Sequence, residues 1–474
     1  MLHLLYELVG RHLPSEYLAF YILVPLTIAV VHSWARGPAL LAREERLEAQ
    51  QRRIQEKNDH VRVTAGLQEM GGRVVLVASG GMTPMGLVTV STLAHQGAHI
   101  IMLVPDLQAD DVIQMVLLLR ESTMSENIFA EKCDICDLNS ITDFAKRWHA
   151  GTLVTGKDGV PTSQPPSSTP SSSKAPPSTT LPGLPSQQAH RVDTILFLPS
   201  TGAVGAFGAS HDDVYDVDVL ARFHFVNAML PSLLILPPNR DVRIISAVSP
   251  WYAAGLGQFE RVSIPLTKPF FEPWTRLGAA SLHWIVLAAE LQRRLDLLAE
   301  ADTRSRTRLP DLEGDEDQVP QHGLRARRSH ISSIVVCPGF EVSSQLLSFF
   351  QTYGAGRMHK YILWMLWLLL APWCWIIGKP TSRAAEAMVW GATARLETES
   401  RTLRRKHAQQ MKTPSVLDDD ALARQWPGLQ PGFLYREGLL IAPPVPSSYQ
   451  GTGAAALWRA TEERVQKKLQ ATKA

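Results

Sequence analysis

The chain has 474 residues, enough for one large domain with insertions or for two domains. Its formal net charge is +2, which leaves no electrostatic case for a nucleic-acid partner. Four cysteines in this length make no disulfide framework and point to a reducing compartment. The lone Cys133-x-x-Cys136 pair is read as packing on or beside a strand, so no metal site is expected.

Tyr17 to Trp34 contains no Lys, Arg, Asp or Glu and approaches the ~20 residues a helix needs to cross a hydrocarbon core. Pro25 lies inside it, and Tyr17, Phe20, Tyr21 and Trp34 lie at or near its ends, as interfacial aromatics do. Arg36, Arg43, Arg46, Arg52 and Arg53 follow, which places that side in the cytosol. Residues 1–35 are therefore read as a signal anchor and 36–70 as a charged helical stalk. The alternative is an apolar helix docked on the protein. The endoplasmic reticulum is the expected membrane, with the mitochondrial outer membrane second.

From Val74 the chain alternates strand and helix. Strands are predicted at Val74–Ala78, Ile100–Val104, Ile128–Cys133, Thr194–Leu198, Val242–Ala247 and Ile331–Cys337. Helices are predicted at Met85–Gln96, Asp110–Ser122, Ser140–Trp148, Val214–Leu234 and Thr275–Ala299. That order gives an α/β fold, a doubly wound parallel sheet covered on both faces. Residues 151–190 are rich in Pro, Ser and Thr, expected to be disordered, and a candidate docking segment for a protein partner. Residues 300–329 are a second, charged insert. The alternation resumes after each, so 71–474 is one domain. Tyr361 to Gly378 is apolar and holds four Trp; it is read as lying in the cytosolic leaflet, with a buried core helix as the alternative.

The segment Arg73–Gly86, RVVLVASGGMTPMG, with Ser249 in RIISAVS and the turn Pro338-Gly339, resembles a short-chain dehydrogenase/reductase (SDR) of Rossmann type from about Arg73 to Leu469. KPTSRAAEAMVWGATA, GFLYREG and ALWRATEERV resemble the C-terminal region of the membrane-associated retinol dehydrogenase-like branch. A fungal group of membrane-anchored SDR-like proteins with degenerate active sites is a further resemblance.

The resemblance implies a dinucleotide site. Ser79, Gly80 and Gly86 match the glycine-rich turn, but Pro84 replaces its middle glycine and has no N–H for a pyrophosphate. Asp137 matches the carboxylate that meets adenine, and equally suits a helix N-terminus. Asp106 leans toward NAD over NADP. Ser343 falls where the family has a Thr on the nicotinamide amide. The Asn-Asn-Ala-Gly segment falls on Phe197, Leu198, Pro199 and Ser200, none kept.

The catalytic group departs further. The family's Tyr and Lys fall on Leu277 and Ser281, and no Tyr-x-x-x-Lys occurs anywhere in the chain. Ser249 matches the substrate-orienting serine, and Asp218 falls on the family's Asn. Tyr252 is a candidate substitute acid/base in a loop that also carries Lys268. The leading expectation is a membrane-tethered, catalytically degenerate protein that binds a lipid, a partner or a dinucleotide. The alternative is an NAD(P)-dependent oxidoreductase acting on a lipid alcohol or carbonyl. Homodimerisation through the two long helices is a further expectation.

Overall fold

The computed structural model describes residues 18–57, 66–151, 191–199, 214–236, 241–261, 272–301, 329–341, 378–396, 429–449 and 451–471, with scattered positions between 365 and 376. The expected start of the anchor at Tyr17, nearly all of the Pro/Ser/Thr segment and of the charged insert, Ser200, Lys268 and Ser343 lie outside them.

One eight-stranded sheet organises these residues. The strands are β1 (Val74–Ser79), β2 (His99–Val104), β3 (Ile128–Lys132), β4 (Thr194–Phe197), β5 (Val242–Ala247), β6 (Ile331–Cys337), β7 (Leu434–Arg436) and β8 (Leu439–Ile441). Their spatial order is β3-β2-β1-β4-β5-β6-β7-β8, and every pairing is parallel except β7 with β8. The central strands are buried along their whole length, which is why they read as unbroken apolar runs rather than alternating ones. The β8 strand was not anticipated. Glu437 and Gly438 both have positive φ (56° and 71°) and turn the chain through a two-residue hairpin.

In chain order the helices are α1 (Leu18–Arg36), α2 (Leu40–Lys57), α3 (Pro84–His95), α4 (Asp110–Thr123), α5 (Leu138–Ala150), α6 (Arg222–Ile235, preceded by a π turn at Asp216–Ala221), α7 (Glu272–Ala301), α8 (Thr381–Thr393) and α9 (Thr452–Ala471). One core layer packs α3, α4 and α8 on the sheet through Val90, Leu93, Val116 and Met388. The opposite layer packs α5, α6, α7 and α9 through Phe144, Trp148, Phe225, Trp284 and Trp458. Both faces are therefore covered, as the alternation of elements requires.

The charged helix α2 differs from a free stalk. Leu40 is buried, its N–H donates to Glu386 Oε2 (3.2 Å), and Trp390 Nε1 donates to Glu44 Oε1 (3.2 Å), so α2 is docked on α8. Another buried charge was not foreseen: Arg243, in β5, donates to the carbonyls of Gly391 (3.2 Å) and Ala392 (2.7 Å) at the end of α8. There its charge and N–H groups meet carbonyls that a helix terminus leaves unpaired.

The apolar segments are partly described. Leu23, Leu26 and Val30 on α1 are each about 60% exposed, as are Leu368 and Trp375. His32 of α1 stacks on Trp375 with ring centroids 4.2 Å apart. Among the described residues one helix, Asp216–Ile235, is long and apolar enough to cross a membrane, and it lies against the sheet as a core helix. Cys133 and Cys337 are buried and Cys136 is exposed; burial pushes the Cys133 thiol up to about 12, so it stays protonated at neutral pH.

A buried histidine ties three elements together beside the sheet. His283 on α7 donates from Nε2 to the Phe259 carbonyl (2.8 Å) and accepts at Nδ1 from the Tyr215 hydroxyl (3.1 Å). Burial holds its pKa down at about 4, against an ordinary value of 6.5. Below 6.5 the unfolded chain takes up a proton that the folded chain refuses until about pH 4. Stability present above pH 6.5 is therefore lost on acidification, by about 3 kcal/mol from this residue. Chemical denaturation of wild type and His283→Gln at pH 7 and pH 4.5 is expected to show the larger acid-induced loss in wild type. Equal losses in the two proteins would contradict the assignment.

Candidate active site

The chain runs outward from β1 through β2 to β3, then returns to place β4 beside β1. Such a reversal opens a crevice beyond the carboxyl ends of the strands. A cleft of about 520 Å³, its open mouth included, lies at those ends. Its walls come from the start of α3 (Met85), from Pro199 after β4, from Ala247 to Pro250 after β5, and from Pro338, Gly339 and Glu341 after β6. Asp218 and Arg222, and Leu277 and Ser281 on α7, complete it.

The turn after β1 is built by contact distance. Gly80 has φ +69°, and a Cβ there would lie 2.6 Å from the Pro199 carbonyl oxygen. A Cβ on Gly86 would lie 2.1 Å from the Gly80 carbonyl oxygen. Ser79 Oγ donates to the Leu198 carbonyl (2.9 Å) and fastens the end of β1 to the chain leaving β4. Thr83 caps α3: its hydroxyl donates to the Gly80 carbonyl (2.7 Å) and accepts from the Gly86 N–H (3.1 Å), with Pro84 in the first turn. The helix start thus has no donor at Pro84, and the Gly86 N–H is already engaged.

Asp106 and Asp137 fall at the carboxyl edge without joining the cleft wall, whereas Gly339 is part of it. Asp106 follows β2, is exposed, and accepts from the Gln108 N–H (3.0 Å). Asp137 caps α5 by accepting from the Asn139 N–H (2.9 Å), the helix-start role. Gly339, with φ +92°, turns the chain out of β6, and the stem of Lys379 closes on its α-carbon within 3 Å of where a Cβ would stand.

Ser249 is in the cleft. Its N–H donates to Ser281 Oγ (3.1 Å), and its Oγ accepts from the Trp251 N–H (3.3 Å), which leaves its O–H free to donate. Tyr252 is not among the cleft-lining residues. It is buried in the core, and burial pushes its phenol up while Arg436 pulls it down through a hydrogen bond. The reason is local packing: Pro250–Arg261 forms a 3-10 helix pressed onto α7, where Gly255 and Gly278 let the backbones approach. A Cβ on Gly278 would lie 2.2 Å from the Trp251 carbonyl oxygen.

The cleft also holds a buried ion pair that the sequence reading missed in half. Arg222 Nη2 donates to Asp218 Oδ1 (2.9 Å), and Nη1 donates to the Ala247 carbonyl at the end of β5 (2.8 Å). The Arg222 side chain is 4% exposed and that of Asp218 12%. Burial pushes the Asp218 carboxyl up while Arg222 pulls it down; burial likewise lowers Arg222 against the pull of Asp218. A signal existed: one Asp and one Arg at i, i+4 in an otherwise apolar stretch, VDVLARFHFV.

A doubly wound parallel sheet in this strand order, with a glycine turn after β1 and a cleft at the carboxyl ends of the strands, defines an α/β domain of Rossmann type. No family model matches the chain. It is 29% identical over 326 residues to the "Uncharacterized oxidoreductase YNL181W" of Saccharomyces cerevisiae, covering 68% of each chain. It is 24% identical over 329 residues to the "Uncharacterized oxidoreductase pbr1" of Schizosaccharomyces pombe, covering 69% of this chain and 71% of that protein. Among solved structures it is similar to an NADPH-bound short-chain oxidoreductase of Pseudomonas aeruginosa with an atypical catalytic center. That match has 14% identity, a TM-score of 0.40, and covers 69% of this chain and 91% of the other. The RhlG/NADP complex of the same species gives 16% identity, a TM-score of 0.37, and 68% and 90% coverage.

Proposed function

We propose that this chain is an SDR-type oxidoreductase that interconverts a hydroxyl and a carbonyl group on a membrane lipid without the family's Tyr-Lys pair. The observation that carries the proposal is the cleft itself. It keeps Ser249 and the Pro338-Gly339 turn, walls the family's Tyr and Lys positions with Leu277 and Ser281, and adds the buried Asp218–Arg222 pair. A buried ion pair is costly to desolvate and is poor evidence of a purely stabilising role. Both yeast relatives carry the name oxidoreductase.

NAD(P) fits the residues present in outline. Pro338, Gly339 and Met85 would face the nicotinamide, Ser79, Gly80 and Gly86 would shape the turn under the pyrophosphate, and Asp106 and Asp137 would meet the adenosine half. Asp106 suits ribose hydroxyls better than a 2′-phosphate, which favours NAD. Bound NAD(P) would supply the hydride acceptor or donor. Pro84 and the engaged Gly86 N–H leave fewer donors for the pyrophosphate, so weaker binding than in a complete glycine turn is expected.

Tethering belongs to the same proposal. The exposed apolar face of α1 and the exposed Leu368, Leu369 and Trp375 are brought together by the His32–Trp375 stack. The root of α1 is close to the cleft: Gly37 faces Glu437 and Lys379, an ion pair at 2.7 Å, and Lys379 in turn closes on Gly339. That arrangement supports a cytosol-facing domain on the endoplasmic reticulum or mitochondrial outer membrane, near the retinol dehydrogenase-like branch. A protein partner at segment 151–190 and pairing of two copies through α6 and α7 are included.

The second reading, a degenerate binder, is favoured by Leu277 and Ser281 in the cleft wall. The deciding experiment places the full chain in nanodiscs with NAD(P)+ and a panel of retinoid, sterol, polyprenol and long-chain alcohols. Cofactor reduction that Ser249→Ala lowers at least about a hundredfold supports the oxidoreductase. Cofactor binding with no turnover on any alcohol, and none on the matching carbonyls with NAD(P)H, leaves the binder.

A further inference from the structure

The polar groups of the cleft form a specific pattern. Arg222 is fixed from two sides, by Asp218 Oδ1 and by the Ala247 carbonyl, so it does not swing toward a ligand. Asp218 is held by one oxygen only; among the described residues Oδ2 has no partner, and the side chain is the more exposed of the pair. Two residues beyond Ala247, the Ser249 hydroxyl retains its hydrogen for donation. The remaining wall is largely apolar, from Met85, Val248, Leu277 and three prolines, with Glu341 as a second acidic residue.

We propose that Asp218 Oδ2 and the Ser249 hydroxyl together bind the hydroxyl group of an apolar alcohol, with Arg222 as the residue that positions the carboxylate. A ligand hydroxyl donates to Asp218 and accepts from Ser249, so it satisfies both groups. A carbonyl accepts from Ser249 but offers Asp218 nothing. A carboxylate meets like charge from Asp218 and from Glu341. Buried acceptors left without a donor are what make such a site selective. Where the oxidoreductase proposal holds, on which this consequence alone rests, the same carboxylate takes the hydroxyl proton. The substrate O–H bond breaks as the Oδ2–H bond forms, the carbinol C–H bond would give its hydride to NAD(P)+ so that the alcohol becomes the carbonyl, and Arg222 stabilises the carboxylate before transfer.

The test uses full-length protein in nanodiscs at pH 7, with benzyl alcohol, benzaldehyde and benzoate as probes and protein-free nanodiscs as the blank. Saturation-transfer NMR gives each affinity. The alcohol is expected to bind about tenfold more tightly than the aldehyde, the difference of one hydrogen bond to a charged group, and benzoate not to compete. Asp218→Asn is expected to narrow the alcohol–aldehyde gap, whereas Ser249→Ala weakens both about equally. Benzoate binding as well as the alcohol, or an alcohol preference that persists in Asp218→Asn, overturns the proposal. Should Asp218→Asn not fold, the wild-type rank order decides. An alcohol preference without cofactor-linked turnover keeps this site and removes the oxidoreductase reading.

Discussion

Replacing Arg222 with Met is expected to destabilise the protein by about 3 to 5 kcal/mol, because it leaves the Asp218 carboxylate buried beside β5 without its counter-charge. It also releases the Ala247 carbonyl, which accepts from Arg222 Nη1 at 2.8 Å. The double variant Asp218→Leu/Arg222→Met removes both charges and replaces them with apolar volume. Its stability is expected to return close to wild type, since apolar replacements of buried ion pairs are often neutral or better. The coupling between the two sites, read from chemical denaturation of all four proteins, is therefore large. The double variant is also expected to lose the alcohol preference of the cleft. A fold that recovers while the ligand site does not is the signature of a pair kept for its chemistry. If Arg222→Met costs less than about 1 kcal/mol, as an exposed pair would, the buried pair is misassigned.

The second large effect lies at the turn after β1. Gly86→Ala would put a methyl group 2.1 Å from the Gly80 carbonyl oxygen and 2.7 Å from that of Gly81. Both are backbone atoms, so relief requires the turn or α3 to move. That movement would part β1 from α3, where Met85 contributes to both the core layer and the cleft wall. A loss of at least about 3 kcal/mol is expected, at the upper end of overpacking costs. Gly71→Ala is the control: nothing lies within 4 Å of its Cβ position. It is expected to fold as wild type. Equal stability of the two variants by thermal denaturation would contradict the contact geometry.

Much of this architecture was legible because buried parallel strands leave a strong mark. Val74 to Ser79 and Ile331 to Cys337 are buried throughout, and such runs need few flanking clues. The alternation of strand and helix gives the doubly wound class, and strands on both sides of residues 151–190 and 300–329 join one sheet. The hairpin partner of β7 was missed because Glu437-Gly438 is a weaker turn signal than Asn-Gly or Asp-Gly. The docking of α2 was missed because its surface is mostly charged, and it is held by Leu40 and Leu41 at its start with polar contacts to α8.

At the site, Ser249, Leu277 and Ser281 line one cleft, each at a short interval from a strand or helix that the apolar pattern locates. Tyr252 stood two residues from the cleft-lining Pro250, and proximity in sequence did not give proximity to the cleft. The 3-10 helix pressed on α7 turns it into the core, toward Arg436. Arg222 belongs to none of the motifs read in the sequence, and only its i, i+4 relation to Asp218 marks it. His283 carries no motif in the sequence, and its two hydrogen bonds depend on Tyr215 and on the 3-10 helix at Phe259, whose placement the sequence does not disclose.

The central claim of the proposed function is that this cleft binds a dinucleotide although Pro84 stands in its turn and Leu277 and Ser281 stand in its wall. Calorimetric titration of NAD(H) and NADP(H) into the full chain in nanodiscs tests it directly. Saturable binding is predicted, tighter for NAD(H) than for NADP(H) because of Asp106. No saturable heat from either cofactor at millimolar concentration would contradict the claim and leave the fold as a scaffold for a different ligand.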